Sequence, residues 1–257
     1  MNALSEFDRL RVVLVNPRNP LNIGAAARAM SNFGFLSMRV VDPYEAGYRE
    51  ARSAVGASAV LTSAEEFATV AEAVADCTLV IGTTAVGTRE LHHDVRALPD
   101  AARLIGKRLA KSNVALLFGS ERVGLSNDAL SHCHWLLRIP TREEHRSMNL
   151  GQAVAVCTYE LARTARRAPA KKPIGKQALS AAQRKPAGAA DIERITKTLL
   201  DALHLSGYLT TRSGKVPEEK IRRLLRRHRL TVNDADLWLS MLTQIAYKLR
   251  HAKEDSR

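Results

Sequence analysis

The sequence has few aromatic residues, few cysteines and no long apolar run. Aromatic residues make up 5% of the 257 residues, so Ala, Val, Leu and Ile must form most of the core. No stretch of about 18 consecutive apolar residues is present, which excludes a transmembrane helix of the usual length. Three widely spaced cysteines do not form a disulfide framework and indicate buried, reduced thiols. The first ten residues lack the basic and apolar segments of a signal peptide, and we expect a cytoplasmic protein.

Familiar ligand-binding signatures are also missing. The first predicted strand is not followed by GxGxxG, which excludes the usual dinucleotide-binding motif. Residues 119–124 have glycines spaced as in a phosphate-binding P-loop, but Leu125 and Ser126 follow where such a loop carries Lys and Ser or Thr. The pattern therefore disfavours a kinase or NTPase. The cluster at 132–134 (His-Cys-His) has no second pair of ligands nearby, so no metal site is predicted.

The net charge of +13 comes entirely from the last part of the chain. Residues 1–160 contain 17 Lys and Arg against 17 Asp and Glu, whereas residues 161–257 contain 22 against 9. Such an asymmetry is typical of a protein with a polyanionic partner, most commonly nucleic acid. The alternative that the charge alone leaves open is a solvated basic tail.

Short β-branched runs alternate with longer helical patterns over residues 1–167. Strands are predicted at 10–15, 38–42, 78–82, 114–118 and 135–140. Helices are predicted at 22–34, 64–77, 100–111 and 149–167, the second with a capping box of Ser63 and Glu66 and the last with Ser147 as a candidate N-cap. This alternation predicts an α/β domain with a mostly parallel sheet.

The remaining residues divide into a linker and a helical region. Residues 168–188 are rich in Ala, Lys and Pro and predict a flexible linker. Residues 189–257 contain three helical patterns, at 191–204, 217–228 and 232–248, and form a small basic domain. In the second helix we expect Ile221, Leu224 and Leu225 to pack inward. The residues expected to face phosphates of a nucleic acid there are Arg222, Arg223, Arg226 and Arg227.

Three polar segments, 16–30, 116–127 and 139–161, lie at the carboxyl ends of predicted strands, where open α/β sheets bind ligands. In this order and spacing they resemble the three motifs of the SPOUT superfamily of S-adenosylmethionine-dependent RNA methyltransferases. Within it they are most similar to the TrmJ branch of bacterial tRNA (cytidine/uridine-2′-O-)-methyltransferases. The resemblance is close over residues 1–165, whereas the C-terminal region matches only in length, basicity and helical pattern.

The resemblance implies a SPOUT fold whose C-terminal segment threads a loop to form a trefoil knot, an exception to the general rule against knotted chains. It implies a homodimer that binds S-adenosylmethionine in a bent shape within the knotted region and needs no metal. The implied reaction is 2′-O-methylation of a tRNA ribose, at nucleotide 32 of the anticodon loop, where the base is C or U.

The resemblance also assigns roles to individual residues. Those expected to bind the methyl donor are Thr83, Thr84, Gly119, Glu121, Gly124, Ile139, Ser147 and Met148. Those expected to act in catalysis are Arg28, Asn22, Ser147 and Asn149. We expect Arg28 to orient the target ribose and stabilise its charge, because a guanidinium is a poor base at neutral pH. Loop residues expected to contact RNA are Arg122, Arg142 and Arg146.

Other functions are compatible with the same sequence. One is the same chemistry on ribosomal RNA, and another is a non-catalytic RNA-binding protein on the same scaffold. A third places a DNA-binding helix-turn-helix in the basic helices, beside a ligand-sensing α/β domain. We favour tRNA methylation and expect neither DNA nor a membrane as a partner.

Overall fold

The computed structural model describes residues 6–44, 56, 58–85, 92–167, 185–209 and 216–254. Contacts divide the chain into two compact units, Met1–Lys172 and Pro173–Arg257. The linker predicted at 168–188 lies outside the described residues except for 185–188. There the N–H of Ala187 donates to the carbonyl of Leu230 at 2.9 Å, so this short stretch packs within the second unit. Among the described residues, no helix is long and apolar enough to cross a membrane.

The first unit is built on a parallel sheet. The described strands are β1 (Leu10–Val15), β2 (Met38–Val41), β3 (Glu65–Phe67), β4 (Leu79–Thr83), β5 (Val95–Ala97), β6 (Val114–Phe118) and β7 (Trp135–Arg138). Their order across the sheet is β3-β2-β1-β6-β4-β7-β5, and every neighbouring pair is parallel. Successive residues of β1, such as Val12, Val13 and Leu14, are fully buried, so both faces of the sheet are covered. The predicted α/β fold is confirmed, and the trefoil knot stays a prediction.

The helices described in this unit are α1 (Pro20–Phe33), α2 (Ser58–Thr62), α3 (Val70–Ala73), α4 (Leu98–Leu109), α5 (Asn127–Ser131) and α6 (Leu150–Arg167). The two long helices α1 and α6 pack closely because small residues face each other. A Cβ added to Gly151 would lie only 2.6 Å from the Cβ of Ala25. Ala26 and Ala27 are fully buried. This contact brings the first turn of α6 beside the first two turns of α1, and thus the first polar segment beside the third.

The prediction of a helix at 64–77 is wrong. Glu65–Phe67 forms β3 and pairs in parallel with β2, and only the short helix α3 follows it. The capping box that forms is the next one along the chain: the hydroxyl of Thr69 accepts from the N–H of Glu72, whose carboxylate accepts from the N–H of Thr69. The hydroxyl of Ser63 instead donates to a carbonyl of α2. Pairing with a neighbouring strand overrides the local helical pattern here.

The second unit is helical, as predicted. Its described helices are α7 (Ala189–Leu205), α8 (Val216–Arg227) and α9 (Val232–Glu254). Apolar residues from all three helices form a small core, which includes Ile192, Ile195, Leu225, Ala235 and Leu242.

The prediction that Arg222 and Arg226 face phosphates is wrong, because both side chains are buried. Arg222 is 4% exposed and Arg226 is 1% exposed. The guanidinium of Arg222 donates to the carboxylates of Glu193, at 3.1 Å, and Glu218, at 2.6 Å. That of Arg226 donates to the carbonyl of Ala189 at 3.5 Å. These two arginines hold α8 in place instead of contacting a ligand.

The outer face of α8 carries a different set of side chains. Lys220 and Arg227 are exposed and Arg223 is half-buried, so these cations, at spacings of three and four residues, share one side of the helix. Leu224 lies among them and is 46% exposed, which contradicts its predicted inward packing. Leu225 is buried as predicted. The helix is therefore rotated relative to the orientation inferred from the sequence.

Candidate active site

A cavity of about 340 Å³ opens at the carboxyl ends of β4, β6 and β7. This volume lies in the range of small-molecule sites, and the position is where parallel sheets place their ligands. All eight residues predicted to bind the methyl donor line it, namely Thr83, Thr84, Gly119, Glu121, Gly124, Ile139, Ser147 and Met148. Arg122 and Arg146, predicted to contact RNA, also line it.

The loop that follows β6 forms one wall of this cavity. A Cβ on Gly119 would lie 2.0 Å from the carbonyl carbon of Gly124 and 2.2 Å from the nitrogen of Leu125. The loop folds back on itself through the N–H of Gly124, which donates to the carbonyl of Ser120 at 2.9 Å. Gly124 adopts a left-handed backbone, with φ of 69°. Only glycine permits this close approach at 119, so the residue is needed for the loop to fold back on itself beside the cavity.

The neighbouring strand ends supply the opposite wall. The hydroxyl of Thr83, at the end of β4, donates to the carbonyl of Leu117 in β6 at 2.9 Å. The N–H of Thr84 donates to the carbonyl of Leu137 in β7 at 2.9 Å. These bonds hold the three strand ends in register. Apolar side chains complete the lining, among them Leu125, Leu130, Leu137, Ile139 and Leu150.

A hydrogen-bonded network joins the three polar segments. The amide of Asn149 donates to the amide oxygen of Asn22 at 2.8 Å, and the amide of Asn22 donates to the carboxylate of Glu121 at 2.8 Å. The same carboxylate accepts from the backbone N–H groups of Arg18, at 3.0 Å, and Asn19, at 3.2 Å. One side chain from each segment is thus fixed relative to the other two.

Glu121 is held in its charged form by this network. Partial burial raises the pKa of its carboxyl group, but the hydrogen bonds from Asn22 and from the N–H groups of Arg18 and Asn19 outweigh burial and leave the pKa below its usual value. At neutral pH Glu121 therefore acts as a fixed acceptor. It organises the segment between β1 and α1 rather than serving as a proton donor.

Asn149 caps α6, whereas Ser147 was the predicted N-cap. The amide oxygen of Asn149 accepts from the N–H groups of Gly151, at 2.9 Å, and Gln152, at 3.4 Å. Ser147 lies before the helix, in an exposed loop, and lines the cavity. At the turn from β6 into α5 the N-cap is Ser126, whose hydroxyl accepts from the N–H of Ala129 at 3.1 Å.

Not every predicted site residue lines the cavity. Asn22 lies outside the lining and is hydrogen-bonded to Glu121, which lines the cavity. Asn149 also lies outside the lining and is hydrogen-bonded to Asn22. Arg28 is exposed on α1, has no ion pair with a described residue and is absent from the lining. Arg142 is exposed and forms a loose pair with Glu144 at 3.6 Å, also outside the lining. The structure therefore brings together the eight residues predicted to bind the donor and leaves Arg28 and Arg142 outside the cavity lining.

Asn19 is a contributor that the sequence reasoning missed. Its amide oxygen accepts from the N–H of Leu21 at 2.9 Å, so it caps α1 while its own N–H binds Glu121. The pair Asn19-Pro20 has a readable signature, because Asn is a common N-cap and Pro is favoured at the first helical position. No group of three or more His, Cys, Asp or Glu that could hold a metal exists within the ranges the structure describes.

A protein-family model described as the SpoU rRNA methylase family matches residues 9–159, which include the whole cavity. The chain belongs to the SpoU methylase family. The predicted resemblance to the SPOUT superfamily is thereby confirmed.

Individual relatives place the chain near the TrmJ branch. The tRNA (cytidine/uridine-2'-O-)-methyltransferase TrmJ of Sodalis glossinidius (strain morsitans) is 33% identical over 239 residues, 93% of this chain and 91% of that protein. The tRNA (cytidine/uridine/adenosine-2'-O-)-methyltransferase TrmJ of Pseudomonas aeruginosa (strain UCBPP-PA14) is 39% identical over 156 residues, 60% of this chain and 61% of that protein. The crystal structure of TrmJ from Z. mobilis ZM4 has a TM-score of 0.77 and 31% identity, and the match covers 91% of this chain and 98% of that one. The long matches extend into the helical unit, beyond the range of the sequence resemblance.

Proposed function

We propose that this chain is an S-adenosylmethionine-dependent methyltransferase that modifies the ribose 2′-hydroxyl of nucleotide 32 in tRNA. The observation that carries the proposal is the cavity at the carboxyl ends of the strands, which the second and third polar segments line and to which the first is hydrogen-bonded through Glu121. The full-length similarity to proteins named as tRNA 2′-O-methyltransferases supports tRNA as the substrate. Their names differ in the bases they include, and cytidine and uridine are common to them.

The residues present fit the methyl donor. A flat adenine suits the apolar lining of Leu125, Leu137 and Ile139. Thr83 and Ser147 provide hydroxyl groups at the polar side of the cavity. When bound, S-adenosylmethionine supplies an electrophilic methyl group.

The chain's own residues then act mainly by positioning. The network of Glu121, Asn22 and Asn149 fixes the entrance to α1 relative to α6, so that ribose and donor meet in one geometry. The 2′-oxygen would take up the methyl group as the donor's sulfur–methyl bond breaks, and the hydroxyl proton would pass to water. The guanidinium of Arg28, close to that oxygen, would stabilise the developing negative charge. It stays protonated at neutral pH and so orients the ribose instead of taking its proton.

The position of Arg28 constrains how the substrate binds. Since Arg28 is exposed on α1 and does not line the cavity, the ribose must lie between the cavity and α1, or a second copy of the chain must complete the site. We include a homodimer in the proposal because it allows the second arrangement. The exposed loop from Thr141 to Asn149, with Arg142 and Arg146, is available to contact the RNA on either arrangement.

The second unit supplies electrostatic affinity for tRNA in this proposal. Residues 173–257 contain 17 Lys and Arg against 9 Asp and Glu. With Arg222 and Arg226 buried, the cations available on α8 are Lys220, Arg223 and Arg227. Such contacts bind phosphates without reading the bases, so they would hold the tRNA body while the first unit selects the nucleotide.

The proposal is tested by transfer of a labelled methyl group to unmodified tRNA transcripts, with ribosomal RNA fragments in parallel. We expect label in tRNA, and an Arg28→Ala variant should transfer about 100-fold more slowly while its affinity for the donor is unchanged. Arg103→Ala is the matched control, because Arg103 is also an exposed helix arginine, on α4, and its loss should leave transfer unaffected. Label that enters only ribosomal RNA would overturn the choice of tRNA. Donor binding without transfer to any RNA would favour the non-catalytic alternative.

A further inference from the structure

An exposed tyrosine lies beside the candidate active site. Tyr44 follows β2 and is 72% exposed. Its N–H donates to the carbonyl of Pro17 at 3.2 Å, in the segment that leads from β1 into α1. The next two residues of that segment, Arg18 and Asn19, donate their N–H groups to Glu121 at the cavity wall. Tyr44 is therefore tied to the site by a short chain of backbone hydrogen bonds.

Arg18 supports the ring of Tyr44 from one side. The guanidinium carbon of Arg18 lies 5.5 Å from the centre of the ring, in a cation–π contact. The backbone of Arg18 is fixed by its bond to Glu121 at 3.0 Å. Since Tyr44 as a whole residue is 72% exposed, most of its surface is left for another group. The pair forms a flat, positively charged surface at the edge of the cavity.

The backbone beneath this pair is strained. Asn16 and Asp42 follow β1 and β2, and both adopt left-handed backbone angles, with φ of 49° and 45°. The amide of Asn16 donates to the carboxylate of Asp42 at 2.7 Å, and the N–H of Asn16 donates to the carbonyl of Val41 at 2.8 Å. Such conformations cost free energy, persist only where the surroundings enforce them, and cluster at functional sites. Here they turn the chain out of both strands and place Arg18 and Tyr44 together.

We propose, on the basis of the function proposed above, that Tyr44 and Arg18 form a stacking platform for an unpaired RNA base next to the target nucleotide. An exposed aromatic ring beside cations is how proteins hold single-stranded bases, since every base presents a flat π-face. Bases within a duplex are already stacked on both sides and cannot use such a surface. The platform thus selects a looped-out nucleotide over a paired one, independently of sequence.

Fluorescence of 2-aminopurine tests the platform without methyl transfer. The analogue is placed in turn at each loop nucleotide of a tRNA anticodon stem-loop, and its emission falls when the base stacks. We expect one loop position to be quenched by the wild-type protein and by Tyr44→Phe, which keeps the ring, but not by Tyr44→Leu. The Leu variant should bind the stem-loop about tenfold more weakly. Because a stacking contact involves no phosphate, the dependence of its affinity on salt should match that of the wild type.

Several results would overturn the platform. Quenching that is equal in the wild type and Tyr44→Leu would place the stacked base elsewhere. A Leu variant with weaker donor affinity, a lower melting temperature or an altered oligomeric state would give Tyr44 a role in folding or assembly instead. Tyr44→Trp is the second variant: its larger ring should bind at least as tightly, and weaker binding would contradict stacking. The assay contains no donor, so its outcome is separate from whether methyl transfer occurs.

Discussion

Substituting Gly119 tests the account of the cavity most sharply. In Gly119→Ala the added Cβ would lie 2.0, 2.2 and 2.4 Å from three backbone atoms of Gly124 and Leu125. An ordinary contact needs at least 3.4 Å, so the facing backbone of Gly124 and Leu125, which line the cavity, would have to move by roughly 1.4 Å. Overpacking of this kind costs about 1–3 kcal/mol of folding stability. Because the displaced atoms belong to residues that line the cavity, we also expect the affinity for S-adenosylmethionine to fall, by about tenfold.

Calorimetric titration with S-adenosylmethionine measures this effect. Gly106→Ala is the matched control, because Gly106 lies in α4 and its added Cβ meets no atom within 4 Å. We expect that variant to bind the donor normally and to be slightly more stable, since alanine favours a helix over glycine. Gly124→Ala should fall between the two: its Cβ has open space, but its φ of 69° is unfavourable for alanine. Wild-type affinity in Gly119→Ala would refute the proposed position of the donor.

Three further predictions follow from named contacts. Burial raises the pKa of Asp76, but the hydrogen bond and charge of Arg39 and the charge of Arg11 lower it to about 2. The stabilisation by ionised Asp76 is therefore present above about pH 4 and lost as the pH falls through 2. Asp76→Asn should lower the free energy of unfolding by about 1 kcal/mol at pH 7, measured by urea unfolding; this value is reduced because the side chain of Asp76 is 39% exposed. An unchanged acid limb in Asp76→Asn would contradict this. Glu121→Gln places an NH2 group against backbone N–H donors, so kcat for methyl transfer should fall by about tenfold with little loss of melting temperature. An unchanged rate of transfer would show that Glu121 does not position the reactants. Arg222→Ala should lower the melting temperature, because breaking a buried ion pair costs about 3–5 kcal/mol. Arg227→Ala should instead weaken only tRNA binding and reduce the slope of log affinity against log salt concentration by about one. The reverse pattern would contradict the burial of Arg222.

The sheet could be predicted where its strands are long and fully buried. The predicted bounds at 10–15 and 114–118 are those of β1 and β6, because continuous apolar runs are the signature of central parallel strands. The short strands β3 and β5 escaped prediction. Each has three residues, and Glu65–Phe67 owes its extended form to pairing with β2, which no local pattern reveals.

The sequence motifs predicted where the candidate site lies, but not which of its residues are hydrogen-bonded to one another. Glycines and strand ends pointed to the cavity, yet the bond between Asn22 and Asn149 joins residues 127 positions apart. Likewise the arginines of α8 form one charge run in the sequence. Only the fold pairs Arg222 with Glu193, 29 positions away, and leaves Arg227 exposed. Long-range pairing of polar groups is decided by packing, which the residue pattern does not encode.

Mapping the modified nucleotide tests the central claim most directly. A tRNA transcript is incubated with the enzyme and labelled S-adenosylmethionine and then cleaved with alkali, which cannot cut after a 2′-O-methylated ribose. A second transcript carries 2′-deoxyribose at nucleotide 32 alone and so lacks the acceptor oxygen. The account predicts one resistant linkage, after nucleotide 32, and no label in the deoxy transcript. Label that persists in the deoxy transcript, or resistance at another nucleotide, would contradict it.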